Sequence, residues 1–167
     1  MKMGEKRSLK ILNFKYTGLF SIDDLYSIVD DWITDKGYDR FEPFYEEIVE
    51  ETGKQIKLKF TPWKKTSDYA KNILKTKFII TDCHDVVVEM DGKKKKIQKG
   101  NIHVKIEVMI ETDYEGKMVN KPFYFFIREL FDRFIYKTYT RQAEGLAIED
   151  ANHLWLTIRQ FFNVTYR

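Results

Sequence analysis

The sequence has a single cysteine, Cys83, so no disulfide can form within the chain. A reducing, cytoplasmic setting is the expectation that follows. No apolar run is long enough to span a bilayer, and the charged stretch from Met1 to Arg7 is not followed by the apolar core of a signal peptide. Internal repeats, low-complexity tracts and linkers are missing too, which leaves residues 1–167 as one expected domain. A chain of 167 residues buries about 70% of the surface its unfolded form exposes, so it needs neither a disulfide nor a metal to fold. No catalytic or cofactor motif stands out, so no metal or cofactor is expected and the balance leans towards a non-enzymatic protein, with an enzyme acting through His84 and Asp82 as an alternative reading.

A large charge of either sign is also lacking: the net value is +3. Its distribution is uneven. Asp23 to Glu51 holds eleven acids against Lys36 and Arg40, whereas Lys54 to Lys77 holds eight lysines against Asp68.

The clearest signal present is the stretch from Asn101 to Glu111. Ile102, Val104, Ile106, Val108 and Ile110 alternate with polar or long residues, the period of a strand with one buried face. Asp91-Gly92, just upstream, favours a two-residue type I′ turn joining a strand over about residues 73–90 to one over 93–114. A strict register from that turn sets Lys77 against Ile106. One extra residue at Gly100 instead brings Ile80, Phe78 and Leu74 opposite Val104, Ile106 and Ile110, so a bulge is expected near Gly100.

Leu9 to Tyr16 reads as a first strand. Ser21 followed by Asp23 and Asp24 makes an N-cap with acids in the first turn, and Ile22, Leu25, Ile28, Val29, Trp32 and Ile33 follow at helical spacing up to Lys36-Gly37. Residues 40–63 read as a hairpin turning at Thr52-Gly53, with Val49 opposite Ile56, Glu46 opposite Lys59 and Glu51 opposite Lys54. Lys64 to Asn72 is a polar connection. After the long hairpin, Pro122 starts a helix carrying Phe123, Phe126, Ile127, Leu130, Phe134 and Ile135. Gly145 then separates it from a last helix with Ala151, Leu154, Trp155, Ile158, Phe161 and Phe162. The fold class is α+β: a curved antiparallel sheet of five or more strands, one N-terminal helix and two C-terminal helices packed on it.

This order of elements resembles the helix-grip superfamily of START and Bet v 1-like proteins. The resemblance implies a sheet wrapped around the last helix, with an apolar cavity between them that takes lipids or other hydrophobic small molecules. On this sheet face the lining expected is Ile80, Val104, Ile106 and Val108. From the helices it is Phe126, Leu130, Phe134 and Trp155. Asp82 and His84 share a face with Ile80 and are polar candidates for the same cavity. A metal reading of Asp82, Cys83, His84 and Asp85 lacks a third ligand, because His103 points to the other face.

Two further readings use the surface. Lys57, Lys59, Trp63, Lys64 and Lys65, with Lys93, Lys94, Lys95 and Lys96 at the hairpin tip, would suit phosphate contact and base stacking on a nucleic acid, or an acidic partner. Lysines without arginines give charge but little planar readout, which favours a solvated face that discourages edge pairing. Tyr124, Phe125, Phe131 and Tyr136 widen the apolar arc of the penultimate helix, which would suit a homodimer interface.

Overall fold

The computed structural model describes residues 5–67, 70–112, 130 and 137–164. The elements run β1 (Glu5–Phe20), α1 (Ile22–Asp35), β2 (Phe44–Glu50), β3 (Gly53–Phe60), β4 (Trp63–Lys65), β5 (Ala70–Met90), β6 (Lys93–Thr112) and α2 (Lys137–Val164). All strand pairs are antiparallel, in the order β1-β6-β5-β3-β2, with short β4 also on β5. The sheet is curved and both helices pack on one face of it, an arrangement compatible with a helix-grip-like fold. Among the described residues no helix is long and apolar enough to cross a membrane.

Local chemistry sets most boundaries. The Ser21 hydroxyl accepts from the Asp24 amide at 3.1 Å and caps α1. Gly37, at φ 68°, closes the helix, with the Tyr38 amide reaching back to the Ile33 carbonyl at 3.0 Å. Asp91 and Gly92 both have positive φ, 52° and 74°, as the expected type I′ turn requires. β4 lies within the stretch read as a polar connection. It continues the β3 edge beyond Thr61-Pro62, where proline lacks the amide that would carry the ladder on.

Three expectations are corrected. The β5–β6 bulge sits opposite Gly100, but the extra residue belongs to β5: Asp82 and Cys83 occupy the space facing that glycine. Ile80, Phe78 and Leu74 therefore oppose Ile102, Val104 and Val108, two residues from the expected partners. The β2–β3 turn is Glu51-Thr52, so Glu46 pairs with Lys57, Val49 with Lys54 and Glu47 with Ile56. Gly53 is the first residue of β3 rather than part of the turn. Finally, the described residues contain two helices where three are expected. The helix expected over Pro122 to Ile135 lies outside them, apart from Leu130.

Gly145 does not break the last helix, which runs unbroken from Lys137 to Val164. Ala143, Ala147, Ala151, Leu154, Ile158, Phe161 and Phe162 form its buried stripe, and packing of that stripe outweighs the roughly 1 kcal/mol that an interior glycine costs. A methyl group added at Gly145 meets nothing within 4 Å. Gly145→Ala is therefore expected to stabilise the protein by about 0.5–1 kcal/mol, raising the thermal midpoint by about 2 °C in a melting experiment.

Candidate functional site

The inner face of the sheet is built from rows of directly paired residues. Leu58, Phe78, Val104 and Phe14 make one row, and Phe60, Thr76, Ile106 and Leu12 the next. Leu74 and Val108 follow, then Asn72 and Ile110. α1 contributes Leu25, Val29, Trp32 and Ile33 to the same core, and α2 contributes its alanine and leucine stripe. The Trp32 indole of α1 donates to His153 Nδ1 of α2 at 2.8 Å, and the hydroxyl of Tyr38, just beyond α1, donates to Asp150 of α2 at 2.9 Å. Burial, then the Asp150 charge, push the Tyr38 hydroxyl well above the ordinary phenol range.

The four expected sheet residues, Ile80, Val104, Ile106 and Val108, all lie fully buried on this face. Trp155 is half-buried at its rim, where its indole donates to the Asn13 carbonyl at 3.3 Å and Arg159 stacks on the ring at 4.5 Å. Leu130 is 49% exposed. Phe126 and Phe134 lie outside the described residues.

Polar atoms interrupt this interior in three places. Thr76 is 0% exposed, yet its hydroxyl has no hydrogen-bond partner among the described residues. Asn72, 2% exposed, donates through Nδ2 to the Ala143 carbonyl at 3.0 Å, but its Oδ1 is unpartnered. One turn before Ala143 on α2, the buried hydroxyl oxygen of Thr140 is unpartnered as well. A buried hydrogen-bonding group left without a partner costs about 1–3 kcal/mol, so these three need an explanation. The sequence carried a signal for two: Asn72 and Thr76 are the polar members of the otherwise apolar even-numbered stripe from Ala70 to Ile80.

Asp82 and His84 do not join the interior. The bulge reverses the alternation of β5, so Cys83 points inward, 1% exposed, while Asp82 and His84 lie at the surface. Asp82 takes a positive φ of 50° and accepts from the Asn101 side chain at 3.0 Å. Burial, reinforced by the Asp85 charge, raises the Cys83 pKa, which keeps it a neutral thiol. No group of three or more His, Cys, Asp or Glu able to hold a metal occurs among the described residues.

The lysines singled out by sequence do not gather on one surface. Lys57 pairs with Glu46 at 3.0 Å. Lys64 donates to the Lys36 carbonyl at 2.8 Å and lies over the Tyr38 ring. Trp63 is half-buried, with Phe41 on one side and Lys71 over its ring; Lys65 follows it at the exposed end of β4. At the hairpin, Lys95 pairs with Asp24 at 2.6 Å and Lys96 with Asp85 at 3.1 Å, while Lys93 and Lys94 are exposed. Asp85 also accepts from Gln98 and Lys54, and these donors, Gln98 foremost, hold its pKa down at about 2. Lys59 belongs elsewhere, on the outer face of the sheet beside Lys77 and Lys105.

No protein-family model matches the chain, and no curated protein sequence matches it either.

Proposed function

We propose that this protein binds an apolar small molecule or lipid between the inner face of its sheet and α2, without catalysing a reaction. The observation that carries this reading is the set of buried polar atoms without a partner among the described residues, Thr76 Oγ1, Asn72 Oδ1 and Thr140 Oγ1, in an interior that is otherwise largely hydrocarbon. A ligand site combines mostly apolar lining with a few polar groups that fix orientation, and these three have that character. The Nδ2 bond to the Ala143 carbonyl fixes the orientation of the Asn72 amide, so the unpartnered atom is its carbonyl oxygen, which accepts and cannot donate. The ligand is thus an apolar molecule with at least one hydroxyl or amide donor at one end. The helix-grip resemblance supports the same location, with Ile80, Val104, Ile106 and Val108 as the apolar wall.

The test is Thr76→Val, which keeps the shape and removes the hydroxyl. With the ligand stripped, the variant is expected to be more stable than the parent by about 1 kcal/mol, because an uncompensated polar group has gone from the core. Its affinity for the molecule recovered in an organic extract of the parent protein is expected to fall about tenfold. Higher stability with unchanged affinity would assign Thr76 a structural place only, and an extract with no such molecule would defeat the proposal.

A further inference from the structure

The outer face of the sheet carries a second feature, separate from the interior. Strand register places Lys59 of β3, Lys77 of β5 and Lys105 of β6 directly side by side. Adjacent strands lie about 4.8 Å apart, so three ammonium groups share one transverse row. Like charges directly opposite each other destabilise a sheet. None of the three has an ion pair among the described residues, although elsewhere the same face pairs Lys57 with Glu46 at 3.0 Å and Lys71 with Glu111 at 3.0 Å. Lys15, one row on and likewise without an ion pair among the described residues, stands opposite His103. Both described helices pack on the other face; Lys59 and Lys77 are exposed and Lys105 is half-buried.

At one end of the row, Phe44 of β2 stands directly opposite Lys59 and is 53% exposed. At the other end, Asn13 is paired with Lys105. The row therefore reads aromatic, three cations, amide across five strands.

The geometry points to single-stranded nucleic acid as the partner of this face, its phosphates lying along Lys59, Lys77 and Lys105 and a base stacking on Phe44. Phosphate neutralisation removes the repulsion that the bare row carries. Lysine is a point charge without the planar fork of arginine, so binding is tolerant of sequence. Because the sheet curves around α2, its outer face is convex. A convex face does not follow the two backbones of a duplex, whereas a single flexible strand can lie across it. An exposed ring is used by unstacked bases and offers nothing to a duplex whose bases are already stacked.

The experiment is fluorescence anisotropy of a short labelled oligothymidylate with the full chain, over salt from about 50 to 200 mM. Three phosphate contacts predict a slope of log affinity against log salt near −2, from about −0.7 per contact on a single strand. Lys77→Gln with Lys105→Gln is expected to weaken binding about tenfold at the lowest salt, to flatten the slope by more than half, and to leave the melting temperature equal or higher, since opposed like charges have been removed. Phe44→Ala is expected to weaken binding several-fold at unchanged slope, a signature of stacking that a general loss of charge would not give. The inference is overturned by no binding at about 50 mM salt, by an unchanged slope in the double variant, by duplex bound as tightly as the single strand, or by phosphatidylserine vesicles bound in place of the oligonucleotide. These outcomes are independent of the interior ligand, which the outer-face substitutions do not touch.

Discussion

Phe162→Ala is expected to cost about 3–5 kcal/mol of stability, the usual range for emptying a fully buried phenylalanine site. Phe162 is the anchor of the last turns of α2. Its ring lies 4.8 Å from that of Tyr16, 5.7 Å from Phe14, 6.1 Å from Phe20 and 5.1 Å from Phe161. Three of these partners belong to β1, so one side chain holds the helix to the edge of the sheet that is most distant from β2. Such aromatic pairs add about 0.5–1.5 kcal/mol each beyond the area they bury. For a chain of this length the loss corresponds to a fall of roughly 10 °C in melting temperature. Urea denaturation checks it, and a change below about 1 kcal/mol would mean that α2 is not docked through this ring.

Gly100→Ala is expected to cost about 1–3 kcal/mol, through overpacking rather than backbone strain. A β-carbon at Gly100 would stand 2.9 Å from the Thr81 carbonyl oxygen, 3.1 Å from Cys83 Cα and 3.2 Å from the Asp82 carbonyl oxygen. All three atoms are backbone, so no side-chain rotation relieves the contact. The doubled residues of β5 occupy the space that the missing side chain leaves. Equilibrium denaturation should show a lower midpoint at unchanged slope, and faster amide exchange confined to the bulge would locate the damage there.

The same glycine shows what the sequence could disclose and where it stopped. Gly100 marked the bulge correctly, but the need for a glycine arises opposite the extra residue as readily as within it, and composition does not distinguish the two strands. Gly53 misled in a similar way, by following its turn instead of forming it. Caps and tight turns were legible because their chemistry is local: the Ser21 hydroxyl, Gly37 and Asp91-Gly92 need only near neighbours. Gly145 has the local signature of a break, but helix propensity is weak beside the burial of Ala143, Ala147 and Ala151, a tertiary effect that near neighbours do not disclose.

The candidate sites divide along the same line. Alternation alone put Ile80, Val104, Ile106 and Val108 on one buried face. It also gave Asp82 and His84 the inward positions, which the bulge hands to Cys83. Asn72 and Thr76 stood in the sequence as polar gaps in an apolar stripe, but their lack of partners is a property of the packed interior. The row of Lys59, Lys77 and Lys105 was out of reach, since it exists only once three strands, remote in sequence, have found their register. The segment expected to supply Phe126 and Phe134 lies outside the described residues, so the helical side of the ligand reading rests on α2.

The interior ligand is the central claim, and native mass spectrometry of the freshly purified full chain tests it most directly. The expected result is a mass above that of the polypeptide, lost on denaturation and recovered in the organic extract as an apolar molecule bearing a hydroxyl or amide. A protein that emerges at the bare polypeptide mass from gentle conditions, and still takes up nothing when offered the lipid extract of its host cells, would contradict it.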